Sequence, residues 1–253
     1  MKIARKALLL SAALVFAIKA LPLSSTADSY EFYNCFEEER LVYSSTASQG
    51  KCGTFANYSI SSDGSVSITG FGSMYNYDLS DELSPFLNNT SITSVNISDN
   101  ITTIGNYAFS GCSSLLTVSF SENITKIGNN AFNNCTSLET VSYITDWKNA
   151  KDIALENIGY KAFLNCSSLT KITIPDTVTS VGYSAFEGCS AVNNIAFGAN
   201  TTLGDYAFRF CNSCQSFWAG WGGDNTNYVD DTWGLTTLSD ENKNRCLIYT
   251  APY

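Results

Sequence analysis

One motif recurs five times along the chain and constrains its fold more than any other feature. It reads [ILV]-G-x-x-A-F-x-x-C-x-x-L-x-x-[VI]-x-[FYI], and its copies begin at residues 104, 127, 158, 181 and 203. The starts are therefore 23, 31, 23 and 22 residues apart, and the fifth copy is degraded after its cysteine. Self-similarity with a period of roughly 20 to 50 residues is typical of solenoids, in which each repeat buries its apolar side against its neighbours.

The apolar positions of the motif predict two structural segments in each repeat. The last two apolar residues, such as Val118 and Phe120, lie two apart, which is the period of a strand with one face towards a core. The Ala-Phe pair predicts a buried ring in a short turn on the opposite side. The glycine predicts either a close approach of two backbones or a positive φ. We therefore expect an α/β solenoid with a parallel β-sheet on one face and short helical or 3-10 turns on the other.

The segments around the repeats divide the chain into four predicted parts. These are a signal peptide at 1–27, an N-terminal segment and β-rich cap at 28–90, the repeat solenoid at 91–217 and a C-terminal cap at 218–253. The first part has basic residues, an apolar run at 7–18 and small residues before Asp28, as a cleaved secretory signal does. An uncleaved membrane anchor is the alternative, although the run is short for a membrane span.

Three further segments carry local signals. Two alternating stretches flank Asp63-Gly64, which predicts a β-hairpin in the N-terminal cap. Residues 90–98 resemble the strand part of a repeat and predict one additional strand. The long connection after Tyr143 places Trp147, Ala150, Ala154 and Ile158 near helical spacing, which predicts a short helix.

Charge and composition exclude several functions. The formal net charge is −9, and removal of the predicted signal removes four of the 14 basic residues and no acidic one, leaving 10 against 23, or −13. Such a surface repels nucleic acid and anionic lipid, so we expect neither as a partner. No stretch after residue 27 is apolar for long enough to cross a bilayer, so we expect no membrane insertion after signal cleavage. The sequence contains no histidine, which excludes Ser-His-Asp and Cys-His nucleophiles and imidazole metal sites.

The nine cysteines fall into two groups by position. Five occupy the same place in successive repeats, at positions 112, 135, 166, 189 and 211, and are expected to form a row of buried free thiols. A metal site is the alternative for this row, but stacked repeats would place the sulfurs in a line rather than a tetrahedron. Outside the row, Cys35 with Cys52 and Cys214 with Cys246 are candidate disulfides in the two caps.

The motif is similar to the repeats of the BspA-like branch of the leucine-rich repeat proteins, which read I-G-x-x-A-F-x-x-C-x-x-L-x-x-[VI]-x-[IL]-P. The similarity covers residues 92–217, and the proline after the strand occurs here only as Pro175. The resemblance implies an exported or surface protein that adheres to matrix proteins or other cells. It supplies no catalytic residues.

Function is expected at the positions between the apolar ones. In the predicted strands these positions are short, polar and mostly uncharged, and a broad sheet is where solenoids commonly bind partners. A purely solubilising face is the alternative. The candidate partner-binding residues are Thr117, Ser119, Glu139, Thr140, Ser142, Thr170, Lys171, Thr173, Asn193 and Asn194.

A second candidate site lies in the C-terminal cap. Trp218, Trp221, Tyr228 and Trp233 alternate with amides and carboxylates, a combination that suits sugar binding, with packing against the last repeat as the alternative. No pair of carboxylates has a spacing that marks it for glycosidase chemistry.

These observations favour a secreted or cell-surface, non-catalytic, adhesin-like repeat protein without a cofactor or metal. Its expected partner is an extracellular-matrix or cell-surface protein. A carbohydrate-binding protein is the second hypothesis, and a hydrolase without a recognisable site is the third.

Overall fold

The computed structural model describes residues 49–145, 153–198 and 200–219, all within the stretch Leu41–Tyr253. These residues form 15 strands and no helix. In chain order the strands are β1 (Gln49–Lys51), β2 (Ala56–Ile60), β3 (Ser65–Gly70), β4 (Gly72–Ser73), β5 (Ser94–Ile97), β6 (Ile101–Ile104), β7 (Thr117–Ser119), β8 (Lys126–Ile127), β9 (Thr140–Val141), β10 (Asn157–Ile158), β11 (Lys171–Ile174), β12 (Ser180–Val181), β13 (Asn194–Phe197), β14 (Thr202–Leu203) and β15 (Ser216–Ala219).

The first sheet has the strand order β1-β2-β3-β5-β7-β9. Its first three strands pair antiparallel, and β2 and β3 form the hairpin predicted around Asp63-Gly64. From β3 onwards the pairing is parallel, because each following strand comes from the next repeat. The predicted strand at residues 90–98 is β5, whose Val95 and Ile97 are buried. Both expectations are confirmed.

A second sheet, which the sequence analysis did not predict, has the order β14-β12-β10-β8-β6-β4 and is parallel throughout. From β6 onwards its strands end just before the glycine of a motif, and in β6 and β8 the sequence has an Ile-Thr-x-Ile pattern, as in Ile124 to Ile127. The two outer aliphatic residues of that pattern are buried, and the two between them are more exposed. The sheet therefore supplies a second polar surface.

A third sheet, β11-β13-β15, continues the strand series after the long connection. The extra residues of the 31-residue repeat lie between β9 and β10, so they separate β9 from β11 but leave β8 paired with β10. The predicted helix in this connection is not present in its described part. Ala154 is exposed and outside any helix, Ile158 lies in β10, and Trp147 and Ala150 lie outside the described residues.

Tight turns replace the helical or 3-10 turn expected around the Ala-Phe pair. The amide of Ser110 donates to the carbonyl of Tyr107 (3.3 Å), whereas the amide of Phe109 donates to Ala131 in the next repeat (2.8 Å). Two residues in each repeat have φ between 52° and 75°, and a helix cannot contain such left-handed residues. They are Tyr107 and Gly111, Asn130 and Asn134, Lys161 and Asn165, Ser184 and Gly188, and Tyr206 and Phe210.

The glycine that begins each motif is required by a close approach of two backbones. A Cβ atom on Gly105 would lie 1.7 Å from the carbonyl oxygen of Tyr75, and one on Gly182 would lie 2.5 Å from the amide nitrogen of Tyr160. Neither glycine has a positive φ. Of the two reasons considered from the sequence, the close approach is therefore the correct one.

The core consists of equivalent side chains that stack from repeat to repeat. Six phenylalanines at positions 86, 109, 132, 163, 186 and 208 form one column, with ring centroids 4.8 to 5.6 Å apart. Beside this column run the repeat cysteines, and each thiol donates to the carbonyl of a phenylalanine in a preceding repeat, as Cys166 does to Phe132 (3.2 Å). The predicted row of buried free thiols is confirmed.

Candidate recognition face

The outer surface of the first sheet is formed by every second side chain along its strands. In β7 the buried Val118 separates the exposed Thr117 and Ser119, because successive side chains point to opposite sides of a strand. Parallel pairing places Thr117 beside Thr140, and Ser119 lies 3.5 Å from Ser142 between their Oγ atoms. Four predicted partner-binding residues therefore share one surface, and Glu139 is exposed directly before Thr140.

The remaining predicted residues form a separate group on the third sheet. Lys171 pairs with Asn194, and both are half-buried, whereas Thr170 and Asn193 are exposed. The structure therefore divides the predicted face into two patches. We call the group on β7 and β9 the first patch (Thr117, Ser119, Glu139, Thr140, Ser142) and the group on β11 and β13 the second patch (Thr170, Lys171, Asn193, Asn194).

The prediction that Thr173 is exposed to solvent is wrong. Its side chain is only 3% exposed, and its Oγ1 has no hydrogen-bond partner among the described residues. The amide of Thr173 donates to the carbonyl of Ile144 (2.6 Å), so the backbone that leaves the first sheet lies against β11. This departure begins at a turn in which Thr145 exchanges two hydrogen bonds with the backbone of Val141 and Tyr143 has a φ of 61°.

The first patch continues onto the N-terminal hairpin, which the sequence analysis did not include in the face. Asn96 pairs with both Ser67 and Ser119, and the hydroxyl of Ser94 donates to the hydroxyl of Ser65 (3.1 Å). The polar alternation of S-V-S-I-T in β3 is the same signal that identified the outward residues of β7. The outward positions of β2, β3, β5 and β7 carry only hydroxyl and amide side chains.

A family comparison agrees with this repeat geometry. Residues 149–220 match the BspA type leucine rich repeat region, with six copies. The chain contains BspA-type leucine-rich repeats. This confirms the resemblance read from the motif, and the fold is a leucine-rich repeat fold with parallel strands in sheets.

Several solved structures of bacterial leucine-rich repeat proteins resemble this chain. A leucine rich cell surface protein from Faecalibacterium prausnitzii is 22% identical, with a TM-score of 0.45, over 66% of this chain and 53% of that protein. A leucine-rich repeat protein from Bacteroides ovatus is 23% identical, with a TM-score of 0.46, over 64% and 45%. The T. pallidum leucine rich repeat protein is 20% identical, with a TM-score of 0.40, over 63% and 88%. The match thus spans about half the length of the first two proteins, and no curated protein matches the chain.

The thiols of the BspA-type repeats are held in their neutral form. Burial raises the pKa of Cys112 from its ordinary 9.0 to about 12, and it raises the pKa of Cys135 and Cys166 well above 9.0. A buried neutral thiol is neither a nucleophile nor a metal ligand. Across the described ranges there is no cluster of three or more cysteine, aspartate or glutamate side chains that could hold a metal ion.

The candidate disulfides and most of the candidate glycan site cannot be placed in this repeat structure. Cys52 is buried and Cys214 is partly buried, but Cys35 and Cys246 lie outside the described residues, so both pairings stay predictions. Trp218 belongs to β15, and Trp221, Tyr228 and Trp233 lie outside the described residues.

The structure also exposes aromatic rings that the sequence analysis did not select. Phe55 and Phe71 are 57% and 56% exposed, and Tyr160 and Tyr183 are both 41% exposed and stack with centroids 5.7 Å apart. No helix within the described ranges has the length and apolar character needed to cross a bilayer.

Proposed function

We propose that the chain is a secreted or surface-displayed, non-catalytic recognition protein whose stacked repeats form a solenoid. Its function is to bind an extracellular protein through the outer side of the first sheet. The observation that carries this proposal is the continuous row of outward-facing, uncharged side chains in β2, β3, β5, β7 and β9, some of them exposed and some half-buried. The backbone beneath it is paired between neighbouring strands from β2 to β9, so a partner would contact the side chains rather than these peptide groups.

The register of the strands in the first sheet favours recognition of a specific partner over nonspecific contact. Pairing from Ser65 through Ser94 and Thr117 to Thr140 aligns four hydroxyl groups across four neighbouring strands, which lie about 4.8 Å apart in a sheet. Such a row presents donors and acceptors at a fixed spacing. The buried residues between them hold the row rigid, so a partner loses little affinity to ordering of the site.

The extent of the first sheet also supports placing the binding site on this sheet. The first patch belongs to a sheet of six strands, whereas the second patch belongs to a sheet of three strands that starts after the interruption between β9 and β11. An adhesive role and display outside the cell agree with the cell-surface description of the Faecalibacterium prausnitzii protein. The absence of histidine from the sequence and the neutral thiols favour recognition over histidine- or thiolate-dependent catalysis.

The test is binding of the purified chain to a panel of immobilised extracellular-matrix and cell-surface proteins. Thr117→Glu and Thr140→Glu place carboxylates on the first patch and should weaken binding at least tenfold, because a desolvated unpaired charge is unfavourable in an interface. Ser180→Glu introduces the same charge on the exposed surface of the second sheet and should leave the affinity within about twofold of the wild-type value. If Ser180→Glu weakens binding as much as Thr117→Glu does, the face is assigned to the wrong sheet.

A further inference from the structure

The open end of the N-terminal hairpin carries two exposed phenylalanines. Phe55 precedes β2 and Phe71 follows β3, and their rings stack with centroids 4.6 Å apart and planes 13° from parallel. The amide of Phe71 donates to the carbonyl of Phe55 (3.2 Å), which extends the hairpin pairing by one residue pair. Because each ring covers only one side of the other, each keeps a second side open to solvent.

The backbone around Phe71 holds this ring in place. Gly70 and Gly72, on either side of it, have φ values of 100° and 82°, in the left-handed region that favours glycine. A Cβ atom on Gly70 would lie 2.0 Å from the carbonyl oxygen of Phe55, so no other residue fits there. The exposure of the ring is thus a consequence of a defined backbone geometry rather than of a loose end.

Both rings lie on the same side of the hairpin as its polar outward residues. Along β2 the exposed positions alternate, and Phe55 continues that series by one step beyond Asn57. Along β3 the same alternation of exposed positions continues from Thr69 to Phe71. Asn57 pairs directly with Thr69, so an amide and a hydroxyl stand next to the ring pair.

The polar groups beside the rings are free to bind. Within the described part of the chain, the side chains of Asn57, Thr69 and Asn96 form no hydrogen bond, whereas the hydroxyl of Ser65 accepts one from Ser94. An amide side chain offers two donors and an acceptor with two lone pairs, and a hydroxyl offers one donor and two lone pairs. The outward positions of β2, β3 and β5 include no ionisable residue, and the charged side chain beside them is that of the exposed Lys51, which pairs with Asn57 from β1.

We infer that this patch, formed by Phe55, Phe71, Asn57, Thr69, Ser67 and Asn96, binds an uncharged oligosaccharide. A sugar ring presents an apolar C–H face that packs on an aromatic ring, and it presents hydroxyls that pair with neutral amides and hydroxyls. A charged glycan or an acidic peptide would depend on the neighbouring Lys51 rather than on the six residues of the patch, none of which is charged. This patch overlaps the hairpin end of the proposed protein-binding row at Ser67 and Asn96, whereas the ring pair lies beyond that row, so the double phenylalanine variant distinguishes the two activities.

The experiment uses the full chain and an array of neutral oligosaccharides built from glucose, mannose, galactose and N-acetylglucosamine. The same array carries sulfated and uronic-acid oligosaccharides, as well as a glycoprotein before and after enzymatic removal of its sugars. We expect binding to one or more neutral sugars. Binding to free polysaccharide but not to the glycoprotein, or the reverse, identifies which source presents the same sugar chemistry.

The variants separate the ring pair from other exposed aromatics. Phe55→Ala combined with Phe71→Ala should reduce apparent affinity for neutral sugars at least tenfold, and Ser67→Asp should reduce it by placing a charge on the patch. Tyr160→Ala removes a ring of comparable exposure elsewhere and should leave affinity within about twofold. Thermal melting should show that all variants fold, because the altered side chains lie at the surface.

Four results would overturn the inference. The first is a wild-type chain that binds no neutral sugar, and the second is a double phenylalanine variant that binds as well as the wild type. The third is binding to sulfated or uronic-acid sugars alone. A double variant that loses only affinity for a sugar-free protein partner also overturns it, since the rings would then be part of a protein interface.

Discussion

The phenylalanine column makes a quantitative prediction at its central member, Phe163. This ring is fully buried and stacks between Phe132, with centroids 5.2 Å apart, and Phe186, 5.0 Å apart. Phe163→Ala removes the ring from a site that cannot collapse, because backbone hydrogen bonds between repeats hold the turns on both sides apart.

The expected loss of stability follows from deleting this buried ring. Deletion of a buried phenylalanine costs about 3 to 5 kcal/mol, and each of the two stacked contacts adds about 0.5 to 1.5 kcal/mol in isolated pairs. We therefore expect a value near 5 kcal/mol, which is a large part of the roughly 5 to 15 kcal/mol that stabilises an ordinary domain.

Urea denaturation followed by circular dichroism measures this loss directly. The matched control is Phe210→Ala, in which the deleted ring is 40% exposed and contacts Arg209, with the guanidinium 4.4 Å from the ring centroid. The control should cost less than about 1 kcal/mol. A Phe163→Ala chain whose denaturation midpoint equals that of the control would refute the stacked core.

The thiol row and the turns yield the remaining predictions. Five of the nine cysteines, those of the row, should react with a thiol reagent in denaturant and resist it in the folded chain, and a count of one would mean that the row is oxidised. Because folding raises the thiol pKa values, their contribution to stability is complete below pH 9 and is lost as the pH rises; for Cys112, whose pKa is raised to about 12, the loss is about 1.4 kcal/mol per pH unit over that interval. Cys135→Ser keeps a hydrogen-bond donor for Phe109 but removes one titration, so its urea midpoint should fall less steeply with pH. Gly105→Ala should lower the denaturation midpoint more than Gly111→Ala, because a Cβ at 105 meets the backbone carbonyl of Tyr75, whereas at 111, where φ is 75°, it meets the side-chain amide of Asn88, which can move; the reverse order would contradict this reading.

The sequence determines the core of this protein more clearly than its turns. Ala108, Phe109 and Cys112 recur in every copy of the motif, and their burial follows from repetition alone, because equivalent residues must meet in a stack. The hairpin is equally predictable from the sequence, since the alternation of apolar and polar residues on both sides of Asp63-Gly64 leaves one pairing register.

The turns were predicted incorrectly because local spacing does not show where a backbone amide finds its partner. Phe109 donates to Ala131 in the next repeat, and this contact between repeats replaces the intrahelical bond that the motif suggested. A signal was nevertheless present, since Gly111, Asn134, Asn165 and Gly188 stand before the repeat cysteine, and glycine and asparagine favour left-handed backbone.

Only part of the candidate face was predicted correctly, for a related reason. Alternation identified the outward residues of β7 and β9, but the burial of Thr173 depends on where the extra residues of the long connection pass, which no local pattern states. The exposed pair Phe55 and Phe71 was missed because aromatic residues in an alternating hairpin are equally compatible with a core position.

The most direct test of the proposed recognition face is hydroxyl-radical footprinting of the chain with and without a protein partner found in the binding panel. Leu116 is 43% exposed directly before β7 and reports on the first patch, whereas Tyr160 and Leu79, 41% and 62% exposed, report on other surfaces. We expect the partner to reduce oxidation of Leu116 several-fold and to leave Tyr160 and Leu79 unchanged. Protection of Tyr160 with undiminished oxidation of Leu116 would contradict the assignment of the face to the first sheet.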